Sequence, residues 1–296
     1  IELGLVGSEM CIRDRKLCRI GNVGNEKPAL IDNENNYRDL SSVIDDLNPE
    51  TLNFDTIEKI KNTEISALPK LDSKLRIGAC VSKPAKFIGI GLNFKDHAEE
   101  QNLPIPKEPI IFSKFTSCIT GPNDPIIVPK GSNHTDWEVE LGFVIGKKAI
   151  NVSVENALDH VLGFFLVNDV SERNFQKNKG LTWDKGKGFD TFGPIGPFIV
   201  TTDELPDFQK LNMFLDVDGK RMQTGNTEKM IFDVKTLVSY MSSCMSLHPG
   251  DICCTGTPPG VGENMSPPHF LKGGEEVVLG VDKLGTQTHK VIPYQD

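Results

Sequence analysis

Short apolar runs separated by glycine and proline are the feature that most constrains the fold of this chain. From Phe87 onward they predict strands at FIGIGLN, PIIVP, VELGFVIG, VLGFFLVND, GPFIVT, NMFLDVDG, GDICCTG and EEVVLGVD. Helical patterns are fewer and occur at LSSVIDDL, NFKDHAEEQN, SVENALDH and DVKTLVSYMSSCM, with Asn93 as the expected N-cap of the second. Many strands, few helices and many turns predict an α+β fold and argue against a doubly wound parallel sheet.

A connector and a change of pattern after it predict two domains. Residues 16–75 alternate strand-like KLCRIGNV and KPALIDN with the helix-like LSSVIDDL, the connector SALPKLDSKLRIGACVSKPAKF has scattered prolines and charges, and the pattern changes from Phe87 onward. We therefore predict a small N-terminal domain over residues 16–75 and a larger domain over residues 76–296. Residues 1–15, IELGLVGSEMCIRDR, lack the basic start and the small-residue cleavage site of a signal peptide. We expect them to be a leader outside the fold, either non-native or disordered.

Charge and cysteine usage exclude several classes of partner. A net charge of -9 without a basic face argues against nucleic acid and against an anionic membrane. No apolar run reaches the roughly 18 residues of a membrane-spanning helix, so we expect a cytoplasmic protein. Seven cysteines without repeated short spacing argue against a disulfide framework and a zinc cluster. Cys253 and Cys254 are interpreted as small buried hydrophobes on opposite faces of a strand.

Two glutamates stand two positions apart at the start of an apolar run, in DWEVELGFVIG. Glu138 and Glu140 share one face of the predicted strand, whereas Val139 faces the other side. Parallel carboxylates beside apolar residues are costly unless a cation lies between them, and carboxylate oxygens suit Mg²⁺ or Mn²⁺. Asp169, at the end of VLGFFLVND, is well placed as a third ligand. An exposed acidic strand face and an ordinary turn aspartate are the alternatives, and spacing alone does not choose.

His97 and Glu100 form a second candidate pair, spaced i and i+3. On a helix this spacing places both side chains on one face, one turn apart. A carboxylate beside an imidazole orients the ring and raises its basicity, which produces a competent general base. A solvated His/Glu pair at the start of a surface helix is the alternative, and the local pattern alone favours it.

Taken together, these segments resemble the fumarylacetoacetate hydrolase family. The matching segments run in the family's order from about Phe87 to Gly262, and they are FIGIGLNFKDHAEE, PIIFSKFTSCITGPNDPI, DWEVELGFVIGK, GFFLVNDVSERNFQ, GKGFDTFGPIGPFIV, GNTEKMIFDVKTLVSYMS and LHPGDICCTGTPPGVG. The likeness is to the prokaryotic-type branch of fumarylpyruvate and 2,4-dioxo-3-deoxy sugar acid hydrolases. It implies a mixed β-roll with short flanking helices as the catalytic domain, a small N-terminal domain before it, and a homodimer.

The resemblance also implies a role for each matching residue. The metal ligands would be Glu138, Glu140 and Asp169. They would hold Mg²⁺ or Mn²⁺, with Ca²⁺ as a possible substitute. His97 and Glu100 would activate water from a lid-like segment, and Lys187, in GKGFD, would stabilise negative charge that develops on the substrate.

Further positions would bind substrate or support the site. Gln176 and Thr257 match substrate-contacting residues of the family, and Arg173 matches an arginine that we interpret as structural, paired to a neighbouring acid. Two positions depart from the family pattern. Asn174 replaces the aspartate that follows the arginine in many relatives, and the founding hydrolases carry a fourth carboxylate ligand where this chain is apolar, near Ile90. The second departure favours a three-carboxylate site and argues against fumarylacetoacetate as the substrate.

The activity implied is hydrolysis of a C–C bond in a small 2-oxo acid, either an acylpyruvate or a 2,4-dioxo-3-deoxy sugar acid, through an enolate stabilised by the metal and Lys187. Decarboxylation, isomerisation and a ureidoglycolate lyase activity are alternatives on the same scaffold, and intact His97 and Glu100 place hydrolysis first. A non-catalytic module that senses a 2-oxo acid and a structural calcium site are further alternatives. We expect the specificity for the substrate's distal end to lie in loops 101–109 and 178–185.

Overall fold

The computed structural model describes residues 16–180 and 182–295, so the predicted leader over residues 1–15 lies outside the described residues. The helices of these ranges are short: α1 (Phe54–Lys61), α2 (Lys95–Glu100), α3 (Arg173–Lys177), α4 (Asp184–Lys187) and α5 (Val234–Cys244). Within the same ranges, none of the helices has both the length and the apolar character required to cross a bilayer.

Strands make up more of the fold than helices. Those of the first half are β1 (Lys16–Ile20), β2 (Lys27–Ile31), β3 (Tyr37–Asp39), β4 (Phe87–Gly91), β5 (Ile110–Lys114), β6 (Ile119–Thr120), β7 (Ile126–Ile127), β8 (Thr135–Asp136) and β9 (Val139–Ile145). Those of the second half are β10 (Val161–Asn168), β11 (Ser171–Glu172), β12 (Gly193–Pro194), β13 (Ile199–Thr201), β14 (Asn212–Val217), β15 (Lys220–Asn226), β16 (Ile252–Cys254), β17 (Glu276–Val281) and β18 (Gly285–Ile292).

A nine-stranded mixed sheet is the largest element, with the order β3-β2-β1-β13-β10-β9-β16-β4-β5. Neighbouring strands in it are antiparallel except for the parallel pair β16 and β4. Strands β1 to β3 extend this sheet because β1 pairs with β13, so segment 16–75 contributes three strands to it. The proposed boundary near residue 75 stays a prediction.

A second sheet of five strands, in the order β15-β14-β17-β18-β7, packs with the first. Two short two-stranded pairs, β11 with β8 and β12 with β6, complete the strand pairing of the described chain. Mixed sheets flanked by short helices confirm the predicted α+β class and the β-roll architecture.

Strands β9 and β10 form the centre of the core. Every residue of both strands is buried, because each has paired neighbours on both edges and covered faces. Continuous apolar runs are typical of such strands. In their antiparallel register Glu140 lies opposite Val167, and Val139 lies opposite Asn168. The start of β9 and the end of β10 therefore lie side by side.

The helix predicted at LSSVIDDL is wrong, since this segment forms turns. Its apolar residues do have helical spacing, but its aspartates bond to the local backbone instead. The Asp45 carboxylate accepts from the Asp46 N–H, and the Asp46 carboxylate accepts from the Leu47 N–H. Such local bonds compete with helix formation. The helix of this region is α1, where the Asn53 side chain caps the N-terminus by accepting from the Thr56 N–H.

The N-cap predicted for α2 is also wrong. The cap residue is Phe94, which offers no side-chain bond to the helix. Asn93 is fully buried, and its amide joins distant segments instead. It donates to the Thr255 carbonyl at 2.8 Å and accepts from the Phe232 N–H at 2.8 Å. The Asn93 side chain therefore joins distant segments of the chain and does not cap α2.

Gln287 in β18 links the two large sheets. Its amide nitrogen donates to the Leu166 carbonyl in β10 at 3.0 Å and to the Gly196 carbonyl at 2.9 Å. The side chain is fully buried.

Replacing Gln287 by Leu should therefore lower the free energy of unfolding by about 1–3 kcal/mol, since the buried Gly196 carbonyl loses its donor. Equilibrium urea denaturation followed by circular dichroism measures this change. Thr288→Ala, at the adjacent exposed position, should change stability by less than about 0.5 kcal/mol. Equal effects of the two substitutions would show that the amide bridge does not join the sheets.

Candidate active site

The predicted acidic residues meet where β9 begins and β10 ends. The Asp169 N–H donates to the Glu138 carbonyl at 2.9 Å, so the two backbones are directly bonded. Glu140 lies one strand alternation further along β9, on the same face as Glu138. The Gly256 N–H, which follows β16, donates to Glu140 Oε2 at 2.6 Å. Three strand ends therefore bring together Glu138, Glu140 and Asp169, which we name the carboxylate cluster.

Two buried ammonium groups hold this cluster. Lys187 Nζ lies 2.7 Å from Glu138 Oε2 and 2.7 Å from Asp169 Oδ2. Lys114 Nζ lies 2.5 Å from the other oxygen of Asp169 and also donates to the Lys187 carbonyl. Both lysines are almost fully buried. Asp169 is thereby neutralised from two sides.

The electrostatics of the two glutamates differ sharply. Burial opposes ionisation of Glu138, but the positive charges of Lys187 and Arg173 hold its pKa well below the ordinary value. Burial, followed by the negative charges of Asp169 and then Glu138, raises the pKa of Glu140 well above its ordinary value. Over residues 16–180 and 182–295, Glu140 has no salt-bridge partner. It is a buried carboxylate in need of positive charge.

A divalent cation fits this need. Glu140, Asp169 and Cys254 offer ligand atoms that all lie within 4.8 Å of one another. Glu138 joins the same cluster through its shared contact with Lys187. Carboxylate oxygens are the donors that hard divalent cations prefer, whereas a thiol would favour a softer ion. Two of the three predicted ligands, Glu140 and Asp169, therefore belong to a group that could hold a metal, with Cys254 as its third member. Glu138 lies beside this group, and its role as a ligand stays a prediction, as does the identity of the metal.

His97 and Glu100 form the predicted pair on α2. His97 Nδ1 lies 3.0 Å from Glu100 Oε2, and Gln101 Nε2 lies 2.8 Å from His97 Nε2. Both contacts are satisfied when the Nδ1–H donates to Glu100 and the Gln101 amide donates to Nε2. Glu100 is held in turn by the Gly260 N–H at 3.1 Å and the Asn264 amide at 3.0 Å. The ring orientation is thus fixed from both sides.

The remaining predicted residues surround Glu138. Arg173 Nε donates to Asp136 Oδ2 at 2.8 Å, and its Nη1 pairs with Glu138 Oε1 at 2.7 Å. The same Nη1 donates to Gln176 Oε1 at 3.1 Å. Arg173 is therefore paired to neighbouring acids, as the sequence suggests. Its Nη2, however, is buried and has no hydrogen-bond partner within the described chain, which leaves a donor for an anionic ligand.

Thr257 is placed beside the cluster, but its hydroxyl is already engaged. The hydroxyl donates to the Val139 carbonyl at 2.9 Å and accepts from the Gln223 amide at 2.8 Å. A contact between Thr257 and a substrate carboxylate would therefore require another atom of this residue or a rearrangement of these bonds.

A cavity of about 220 Å³ opens above the carboxylate cluster. Its lining includes six of the residues predicted from the sequence, which are His97, Glu138, Glu140, Gln176, Lys187 and Thr257. Asp169 lies beneath them and is fully buried. Glu100 supports His97 without lining the cavity. The structure thus brings all eight predicted site residues to one place.

Three contributors were not predicted from the sequence. Lys114 interrupts the apolar run IIFSKF, and a lysine in such a run is a usable signal for a buried ion pair. Cys254 is buried as expected, but its position beside Glu140 and Asp169 depends on the pairing of β16 with β9. Gln101 was placed at the end of the predicted helix NFKDHAEEQN and in a specificity loop, without a role beside His97. Its contact with His97 follows from the i, i+4 spacing at the end of α2.

Comparison with known proteins identifies relatives of this chain. The family profile for the C-terminal region of fumarylacetoacetate (FAA) hydrolase matches residues 86–292. A Burkholderia cenocepacia protein, whose name assigns it provisionally to the hydrolases, is 54% identical over 273 residues, covering 92% of this chain and 97% of that protein.

Solved structures share the fold along nearly the whole chain. The fumarylacetoacetate hydrolase from Exiguobacterium antarcticum matches with a TM-score of 0.82 at 30% identity, over 95% of this chain and 100% of its own. The 2-hydroxyhepta-2,4-diene-1,7-dioate isomerase from Mycobacterium marinum matches with a TM-score of 0.75 at 30% identity, over 95% of this chain and 100% of its own. Proteins named as hydrolases and proteins named as isomerases therefore share this fold.

Metal binding to the cluster is testable through stability. A cation that binds only the folded state should raise the free energy of unfolding by about 2.7 kcal/mol at a hundred times its dissociation constant. Glu140→Gln should remove most of this increase for Mg²⁺ or Mn²⁺, because it neutralises the carboxylate that lacks a cation. Denaturant titrations of chelator-treated protein, with and without metal, measure the effect.

Glu263→Gln, at the cavity rim and paired to Lys177, is the matched control and should keep the full increase. An undiminished increase in Glu140→Gln would place the metal elsewhere.

Proposed function

Since this chain belongs to the fumarylacetoacetate hydrolase family, we propose that it is a divalent-metal-dependent hydrolase that cleaves a C–C bond in a small 2-oxo acid. The substrate is an acylpyruvate or a 2,4-dioxo-3-deoxy sugar acid. The observation that carries the proposal is the buried Glu140 carboxylate, which forms no salt bridge within the described residues, in a cavity that is also lined by His97 of the His97–Glu100 pair. One part of the cavity lining is therefore suited to a bound metal ion, and another part presents a general base.

The polar side of the cavity binds the 2-oxo acid end of the substrate. Arg173 Nη2 is a buried donor without a partner, and a carboxylate or oxo oxygen would satisfy it. Lys187 contributes a fixed positive charge beside the cluster, in a site from which water is largely excluded. A divalent cation, when bound, supplies Lewis-acid stabilisation of negative charge on the 2-oxo oxygen.

His97 moves the proton. With Nδ1–H donating to Glu100, Nε2 is the basic nitrogen, and it accepts a proton from water as the water oxygen bonds to the distal carbonyl carbon, C4. The C3–C4 bond then breaks with its electron pair on C3, and the proton that His97 took from water is transferred to C3, so that pyruvate and a carboxylic acid leave and His97 is neutral again. In the structure the Gln101 amide donates to Nε2. Water must replace that amide before the proton can be transferred.

Isomerisation or decarboxylation of a 2-oxo acid is the second candidate. The similarity to the isomerase from Mycobacterium marinum favours it, because the same fold carries that name. These reactions also generate negative charge next to the 2-oxo group but require no activated water. The ordered His97–Glu100 pair is the reason for ranking hydrolysis first.

The proposal is tested by turnover of a panel of acylpyruvates, 2,4-dioxo-3-deoxy sugar acids and oxaloacetate. We expect pyruvate release from the diketo acids, loss of activity with a chelator and its return with Mg²⁺ or Mn²⁺. Activity that is unaffected by chelation would contradict the metal dependence. Turnover of oxaloacetate alone would favour the decarboxylase.

His97→Ala should lower kcat for C–C cleavage by about 10²–10⁴-fold, since it removes the general base. Metal-dependent stabilisation should persist in this variant, because His97 is not part of the carboxylate cluster. His248→Ala, an exposed histidine outside the cavity, is the control and should retain wild-type turnover. Near-normal cleavage by His97→Ala would remove this residue from the mechanism.

A further inference from the structure

One side of the cavity, which begins beside the carboxylate cluster at Phe112, is apolar. It is formed by a set of residues that we name the apolar wall: Ile90, Leu92, Leu103, Ile110, Phe112 and Trp183. The wall comes from strands β4 and β5, the segments that flank them, and the turn before α4. The polar lining comes instead from β9 and α2 to α4 and from the loop after β16.

Two glycines of β4 allow aromatic rings to lie directly on the strand. A Cβ atom at Gly89 would stand 2.2 Å from Cζ of Phe112, and one at Gly91 would stand 2.2 Å from Cζ3 of Trp183. Both are closer than any real contact, so a side chain at either position would displace the ring that lies there. The Phe112 and Trp183 rings lie 5.5 Å apart between centroids. The backbone is thus shaped to present an aromatic surface to the cavity.

The one contact that the structure gives between a lysine or arginine of the described chain and an aromatic ring of this wall is that of Lys187 with Phe112, and the Lys187 ammonium is already paired with the carboxylate cluster. The cations that line the cavity are Arg173, Lys177 and Lys187. Arg173 and Lys187 are bonded to the carboxylate cluster, on the polar side. Lys177 pairs with Glu263 at 2.6 Å at the rim. Lys187 Nζ lies 5.2 Å from the centroid of the Phe112 ring, which marks where the polar side ends and the wall begins.

From this arrangement we infer that the distal end of the substrate is uncharged and apolar, ending in an alkyl or aryl group and not in a second carboxylate or a polyhydroxylated chain. The inference rests on the proposed function, because it takes the 2-oxo acid end to lie at the carboxylate cluster. The rest of the substrate, including its distal end, then lies against the apolar wall. There a carboxylate would lose part of its hydration without gaining an unpaired cation, whereas each buried methylene gains about 0.8 kcal/mol, or nearly fourfold in affinity.

The turnover test compares two acylpyruvates with the same number of carbons. Butyrylpyruvate ends in a methyl group, and succinylpyruvate ends in a carboxylate. With saturating Mg²⁺ we expect kcat/KM to favour butyrylpyruvate by roughly 10–100-fold. Equal values, or a preference for succinylpyruvate, would overturn the inference while leaving the hydrolase activity in place.

Substitution of the wall should reverse this preference. Leu103→Arg places a cation on the wall at a position that is 46% exposed, and it should raise kcat/KM for succinylpyruvate relative to butyrylpyruvate by at least about tenfold. Ile150→Arg is the matched control, because Ile150 is 51% exposed and lies outside the cavity. A shift of the same size in both variants would indicate a general charge effect and would contradict the role of the wall.

A binding measurement separates this inference from the proposed function. The chain has two tryptophans, of which Trp137 is fully buried and Trp183 lies in the wall. With saturating Mg²⁺, 2-oxohexanoate should quench the fluorescence at lower concentration than its dicarboxylate counterpart 2-oxoadipate, and Trp183→Phe should remove the ligand-dependent quenching. This preference without turnover of any diketo acid would support the wall and refute the hydrolase. Tighter binding of 2-oxoadipate would refute the wall.

Discussion

A buried cluster of three carboxylates persists in this fold only because positive charge reaches it. Lys187 bridges Glu138 and Asp169 at 2.7 Å each, and Lys114 holds the second oxygen of Asp169. Removing one partner of such a pair is strongly destabilising, since an uncompensated charge remains in a medium of low polarity. The two lysines leave Glu140 without a cationic partner in the described chain. A divalent cation would supply the positive charge that Glu140 lacks.

The strand architecture makes this arrangement rigid. Strands β9 and β10 are buried along their whole length, and their antiparallel register places the start of one beside the end of the other. The carboxylates therefore lie at the ends of fully buried, paired strands, whereas His97 is carried by the short helix α2 and oriented by Glu100 and Gln101. Beside them, β4 and β5 present the apolar wall. The cavity thus has a charged part, where we propose that a 2-oxo acid is anchored, and an apolar part, which we propose takes the distal end of that acid.

The sequence predicted the parts of this architecture that depend on local pattern. Continuous apolar runs predicted β9, β10 and β16, and the two-residue period placed Glu138 and Glu140 on one face.

Strands β5, β15 and β18 were not predicted. β18 alternates buried and exposed residues, and most of β15 is polar and at least partly exposed. Contacts that depend on tertiary pairing were also missed. The place of Cys254 beside the cluster follows from the pairing of β16 with β9, and the amide of Asn93 is used between distant segments instead of at the helix start.

The most direct measurement of the central claim is anomalous X-ray diffraction from crystals grown with Mn²⁺ and oxalate, a non-cleavable mimic of the 2-oxo acid end. The account predicts one anomalous peak in contact with carboxylate oxygens of Glu138, Glu140 and Asp169, with oxalate bound to the same ion from the side of the cavity. A manganese peak away from these three residues, or one enclosed by protein ligands with no room for oxalate, would contradict it.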